Sequence, residues 1–575
     1  MDDDKQPKDQ LGHEHYTLKY VGPHNEKRVL SLSTALMAVL FLAVVFGFRS
    51  YLTERATIAR RACEANPTRS GCDPVEPIMP IDPRCANHPD HRKCQAIDPT
   101  DPTDPGGDPI PPTPPSEDDF TFSGTVVDND GFTVPAGEVW TFDPTKNTTV
   151  EVEANVVVYG VLEMRPNDGV KHTLRFNNVD ESKFVGGGME LIDDDTGLWV
   201  LGDGKLDAYG EKKVGWDRTG NDATWKSTDE LIVTPVNPGD YTFKSFTKGS
   251  SVPQLDASVP KAEVMNMTRS VNIEGTPDGY SHVMFMSTQP QTIKYTALRY
   301  MGIDTILGRY PLHFHFMGEA SRGSLIEGTV VRDSKDHAYV AHASHGVTFR
   351  DTVAYNITDD AYWWDPVKGT GSDINATNDI VYDHAIVANV FPDPDHPYNL
   401  SGFSLSAGEG GVVKNSVGVG ILGSENGSAF AWPANDVQVW AFSEGNVAHN
   451  NKKNGITVWQ NTGPRHDVSN FVAYSNGVGI DHGAYSNNYF YTNIYLYKNG
   501  TGAQLHASAR DEHFSEWKCV KERGSTNKIA LQILNTNAGE VIPVKFIGSD
   551  FENQTVNDSP QKTVDRVTFV NGTCS

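Results

Sequence analysis

Positive charge is scarce in this chain. Over 575 residues, Lys and Arg total 48 against 74 Asp and Glu, a formal charge of −26. Such a balance repels nucleic acid and other polyanions, so an anionic ligand needs a local basic patch or a cation. Cysteine is also sparse, six in all, every one C-terminal to the single long apolar run. From residue 120 onward no segment carries the 3.6-residue apolar period of an amphipathic helix, which excludes helical and alternating α/β classes. The size is enough for two or three packed domains.

The apolar run is VLSLSTALMAVLFLAVVFGF, residues 29–48, 20 residues without a charge. That length matches one transmembrane helix, and no small-residue cleavage site follows, so a retained signal-anchor is expected. Flanking charge does not orient it: Lys27 and Arg28 face Arg49, Arg55, Arg60 and Arg61 across the span. Asn-x-Ser/Thr sequons do, at Asn147, Asn266, Asn356, Asn375, Asn399, Asn426, Asn499, Asn553, Asn557 and Asn571, all on the C-terminal side. The expected topology is single-pass type II, with residues 1–28 cytoplasmic and the rest extracellular or lumenal.

Residues 49–95 hold a short duplication, Cys63 to Cys72 and Cys85 to Cys94, read as two local disulfide loops, with zinc as the alternative. Residues 96–119 repeat Asp-Pro and Pro-Pro, a stiff extended stalk. Residues 120–255 alternate as strands, for example Val150-Glu151-Val152-Glu153, and predict a β-rich domain. Over residues 256–510, short β runs recur: NVAHNN, NFVAYSN and NIYLYKN begin at Asn446, Asn470 and Asn493, 24 and 23 residues apart. A period of that size without helices predicts a right-handed, pectate-lyase-like parallel β-helix with Asn laddering through its turns. Residues 511–575 predict a cap, stapled by Cys519 and Cys574.

The chemistry-bearing stretch is GRYPLHFHF, residues 308–316. In a strand, Phe314 and Phe316 share one face, and His313 and His315 the other. With the phenylalanines inside, both imidazoles project outward, and His337, His342 and His345 fall one rung later. Between residues 289 and 350 the seven cations Lys294, Arg299, Arg309, Arg322, Arg332, Lys335 and Arg350 outnumber five acids. This is the expected landing site for an anionic sugar, with Arg309 forking onto its carboxylate. Next come Asp359, Asp360 and Asp365 around Tyr362, Trp363 and Trp364: carboxylates for glycosidic acid/base chemistry and rings for stacking on pyranoses. Against this, outward histidines can be ordinary rung residues, and Asp-Asp is more often a turn than a catalytic pair.

AEVMNMTRSVNIEG, SHVMF, LRYMG before GRYPLHFHF, and SHGVTFRDTVAY resemble, in order and spacing, the β-helix of the cell-migration-inducing and cell-surface hyaluronidase family, shared with fibrocystin-like proteins. FTVPAGEVWTF, VVVYGVLEM and VLGDGKLDAYG resemble its eight-glycine domain. By position, the resemblance adds His282 and marks Arg309, His313, His315, His342 and His345. Where the family has Gly-His before an aromatic pair this chain has Asp359-Asp360, and Asp365 stands for a Glu. It implies hyaluronan-like anionic polysaccharide as partner, depolymerisation as activity and Ca²⁺ as an assisting ion. Proton abstraction by a lyase, a non-catalytic glycan receptor and a structural spacer are the rival readings.

Overall fold

A computed structural model describes residues 119–574 other than 185–190, 192–194, 305, 365–376, 394–399, 406–407, 424–426, 433–439, 459–464, 484–487, 508–514, 526–528, 536–543 and 553–566. The apolar run, the Cys63–Cys94 segment, the stalk, Asp365 and the sequons at Asn375, Asn399, Asn426, Asn553 and Asn557 lie outside the described residues. Among the described residues no helix is long and apolar enough to cross a membrane.

The chain winds as a parallel β-helix. Each coil contributes a strand to three walls, exemplified by Thr292–Lys294 (first), Thr296–Arg299 (second) and Leu312–Gly318 (third). The first and second walls join in a 27-stranded sheet, and the third is a separate 13-stranded sheet. Parallel pairing leaves alternate residues of every strand facing the coil interior. In the third wall one inward column runs Leu312, Tyr339, Tyr362, Phe403, Phe430, Ile456 and Ile480 in successive register. All are buried, and the Tyr339–Tyr362, Tyr362–Phe403 and Phe403–Phe430 rings stack at 4.9, 4.7 and 4.9 Å. Each such side chain removed from water contributes about 1.5–3 kcal/mol.

The expected boundary at residue 255 does not separate two folds. Strands from Phe120–Phe122 to Lys205–Tyr209 already belong to the coil: Val200 pairs with Phe285 and Leu174 with Ile273. Among the described residues, the following stretch leaves it. Trp216–Asp217, Leu231–Val233, Lys244–Phe246 and Val264–Asn266 make a four-stranded antiparallel flap. The flap lays Trp216, Val264 and Met265 over outward Ala297, Val330, Val353, Ile386 and Val417 of the second wall. A continuous β-helix buries more per residue than two abutting domains because each rung's backbone edge is paired by the next. Of the expected cap, the described strands Ser515–Arg523 and Val544–Ile547 likewise continue the coil, Trp517 pairing with Tyr491 and Phe546 with Trp517. Cys519 and Cys574 are disulfide-bonded, Cα atoms 5.6 Å apart.

Asparagine ladders are present, but one step of the sequence spacing misleads. Asn493 donates to Asn470, both at φ 54, yet Asn446 sits one residue out of register because Val447 pairs with Val472. The buried ladder is Asn451, Asn476 and Asn499: the Asn476 and Asn499 side-chain oxygens each accept from the backbone N–H and side-chain amide of the asparagine one rung before, and the Asn451 oxygen accepts from the Ile421 N–H. Asn499 is therefore no glycan acceptor. Neither is Asn266, fully buried and donating to Asp229. Asn147 and Asn571 are exposed.

Candidate functional site

Strand alternation does turn His313 and His315 away from the interior, while Phe314 enters it. Their column on the outer face of the third wall reads Trp199, Met284, His313, Val340 and Trp363 in successive rungs, and His315 pairs with His342. Outward does not mean exposed here. His313, His315 and His342 are 0%, 3% and 5% exposed. The Tyr310 ring covers His313 at 4.7 Å, and Phe316 lies 4.7 Å from His315 and 4.4 Å from His342.

Phe316 is not inside with Phe314. The pairing slips between His315 and Gly318, Phe316 takes φ 48, and its ring turns outward, 43% exposed. In the next rung Ala343 also takes left-handed backbone, φ 43. A bulky residue in left-handed backbone is strained and is held there by its surroundings. Bulges re-aim side chains, and this one caps the imidazoles.

Burial sets the protonation. It drives His313 well below the ordinary histidine range, helped by His315 and His342, and His315 to about 3, helped by His342 and Arg309. At neutral pH they are uncharged. The His313 Nδ1–H donates to the Gly308 carbonyl at 2.9 Å on the neutral-ring reading, leaving Nε2 to face His315 Nδ1 at 3.3 Å. A sugar carboxylate is thus not drawn by imidazolium charge at pH 6–7.

Arg309 corrects the expectation most directly. It is 1% exposed, pairs with the buried Asp195 carboxylate, and lies 5.0 Å over the Trp199 ring. Burial lowers the guanidinium to about 10, still charged at neutral pH. Asp195 also bonds His282 Nε2 at 3.0 Å, so His282 and Arg309 share one internal carboxylate and neither faces a substrate. Gly197 permits this approach: a Cβ there would sit 2.4 Å from the His282 ring. Asp195 and Trp199 were missed; the only sequence signal was an Asp-Asp-Asp run before a strand.

The basic surplus is absorbed in the same way. Lys294 pairs with Glu327, Arg299 with Asp333, Arg322 with Glu319 and Asp379, Arg332 with Glu230, Lys335 with Glu181 and Arg350 with Asp383. Several of these acids come from beyond the window that was counted. Stacking rungs, not neighbours in sequence, decide the local charge.

Of the later residues, Tyr362 points into the core and Trp364 is buried, so neither can stack on a sugar. Trp363 is half-buried on the outer face and stacks on His337 at 4.7 Å. Asp360 is also buried. Its carboxyl accepts from the backbone and hydroxyl of Ser401, and burial plus the Asp359 charge push its pKa well up. It braces the next strand. His345 is half-buried in a turn, Nδ1 accepting from the Asn378 N–H at 3.1 Å, outside the imidazole cluster. Asp359, at φ 67, and the unforeseen Asp336 bring carboxylate oxygens within 4.8 Å of each other and of a His337 ring nitrogen. Neither group fits Ca²⁺, which takes six to eight oxygens. One offers three imidazoles. In the other, Asp336 Oδ1 already accepts the His337 N–H and Asp359 Oδ1 the Asp360 N–H.

Residues 280–368 match the family model described as CEMIP beta-helix, which spans the imidazole and Trp363 levels of this face. The human protein named Cell surface hyaluronidase CEMIP2 is 22% identical, aligned over 23% of this chain and 13% of its own length. Human Fibrocystin-L is 23% identical over 24% of this chain and 4% of its own. The chain therefore spans a small fraction of these relatives. Among solved structures, the A-module of Azotobacter vinelandii mannuronan C-5 epimerase AlgE4 is 10% identical, covering 78% of this chain and 91% of that one at a TM-score of 0.26.

Proposed function

We propose that this chain is a polysaccharide-active β-helix, held at a membrane by residues 29–48, that reads and cleaves a hyaluronan-like glycan on the outer face of the third wall. The observation that carries this is the half-buried Trp363, stacked on His337 and flanked by the Asp336–Asp359 pair, within the stretch that matches the CEMIP beta-helix. An aromatic ring beside paired carboxylates is the equipment of glycosidic cleavage.

Asp359, the less buried of the two carboxylates, supplies acid/base chemistry and Asp336 the partner charge; Trp363 stacks on a sugar ring. Because the nearby cations named above are paired and the chain carries −26, binding depends on stacking and hydrogen bonding and strengthens with added salt, which screens the repulsion of a polyanion. Glycans at Asn147 and Asn571 and an extracellular or lumenal location accompany this reading. A receptor that binds without cleaving is the second reading, favoured by the diversion of Asp360 to Ser401.

The full chain, purified in detergent, is incubated with hyaluronan and new reducing ends are counted. Asp359→Asn should abolish chain cleavage and leave binding intact, whereas Trp363→Ala should weaken binding about threefold to tenfold, the worth of one ring stack. Binding without any new reducing ends replaces the enzyme with the receptor. No binding at all rejects both.

A further inference from the structure

We infer that His313, His315 and His342 form a binding site for a borderline or soft divalent transition metal, Zn²⁺ or Cu²⁺ in class, independent of whether the protein cleaves a glycan. Each residue brings one ring nitrogen to within 4.8 Å of the other two. Three such donors from two adjacent strands converge because His315 and His342 are register partners and His313 lies two residues before His315.

Three observations separate this cluster from histidines that merely decorate a rung. First, the His313 ring is oriented from behind. Its Nδ1 faces the Gly308 carbonyl at 2.9 Å, the arrangement by which an outer partner fixes the tautomer of a metal-ligating imidazole and directs Nε2 inward. Second, His315 Nε2 is buried with no hydrogen-bond partner. An unsatisfied buried polar atom is costly, and a coordinated cation removes that cost. Third, Phe316 and Ala343 both take left-handed backbone on successive rungs, and Phe316 so placed lays its ring over His315 and His342.

The donor set selects the ion. Imidazole suits zinc, copper and nickel, whereas calcium and magnesium demand oxygen. Three protein ligands leave one position of a tetrahedral ion open, the pattern of reactive rather than purely structural zinc sites. Phe316, 43% exposed, is the cover over that position and the entry path. Arg309, the cation whose charge bears on His315, is paired with the Asp195 carboxylate, which lowers its opposition to a dication.

The full chain, stripped with chelator and dialysed, is titrated with Zn²⁺ and with Cu²⁺ alone. One equivalent per chain should bind by calorimetry and elemental analysis, and the Cu²⁺ form should show nitrogen hyperfine splitting in its electron paramagnetic resonance spectrum. His315→Ala and His342→Ala should each lower affinity at least a hundredfold, with His345→Ala unchanged; Ca²⁺ should not compete. To guard against misfolding, the more conservative His342→Gln should lose the metal while keeping the parent circular dichroism and melting profile. Stoichiometric binding that survives both alanine variants, an oxygen-only copper spectrum, or no binding of either ion overturns the site.

Discussion

The second and third walls of the coil present outward faces built on the same pleat, and both are buried, for opposite reasons. On the second wall Ala297, Val330, Val353, Ile386 and Val417 lie under the flap, which brings Trp216, Val264 and Met265 to meet them. On the third wall His313, His315 and His342 are shielded by Tyr310 and Phe316, their own neighbours in the rung. An apolar outward column calls for a cover from elsewhere in the chain; an imidazole column survives with a local cap because its nitrogens still have partners to find. The first face is adhesive and the second is chemical.

The comparison breaks most sharply at charges that each face conceals. Asp195→Ala should leave the buried Arg309 charge without its carboxylate, costing about 3–5 kcal/mol in urea denaturation. Replacing both, Asp195→Leu with Arg309→Met, should recover most of that loss. A single-mutant cost below about 1 kcal/mol would mean that the pair is solvated.

The flap face should respond nearly as strongly to truncation. Trp216 is buried, stacks on His384 at 4.1 Å and donates from Nε1 to the His384 carbonyl. Trp216→Ala should cost about 3–5 kcal/mol and raise protease sensitivity within residues 211–267 before the coil yields. Simultaneous cleavage of flap and coil would show that they do not unfold separately.

Smaller effects come from titration, and they sharpen the contrast between neutral and ionised buried groups. Burial holds His466 neutral, its pKa lowered to about 4, while the unfolded chain protonates near 6.5. The unfolded state then binds the extra proton between those values, so stability falls as pH drops from 6.5 to 4, by about 1.4 kcal/mol per pH unit. Under the flap, burial opposes ionisation of Glu263, yet His449 and Arg218 hold its carboxylate down to about 2. Its contribution is present above its unfolded value of 4.5 and is lost as pH falls from there toward 2. Urea midpoints measured from pH 7 to 3 should decline in both windows, and His466→Asn should lessen the slope only in the upper one, where His282, His313 and His315 still contribute.

The repeat, the inward columns and the Cys519–Cys574 closure were legible in the chain because each is a local pattern repeated at fixed spacing. The outward direction of His313 and His315 was legible too, from alternation alone. Phe316 was not: one bulged residue reverses every face after it, and nothing in LHFHFMG announces the slip. Tyr362, in an aromatic trio that reads as a sugar platform, became core because alternation within its strand sends it inward and Trp363 outward. The start of the coil near residue 120 was hidden for a different reason, since short Val-rich strands read alike in a coil and in a separate β domain.

By itself, then, the sequence determined a β-helical solenoid, its interior and a cluster of imidazoles on one outward face, since all three follow from period and alternation. Only the tertiary structure decided which charges remain available. Asp195 meets Arg309, and Glu230 meets Arg332, across more than a hundred residues of chain. A parallel coil brings such residues side by side at every rung, so the electrostatics of a surface patch belong to the stack of rungs and not to any one stretch of sequence.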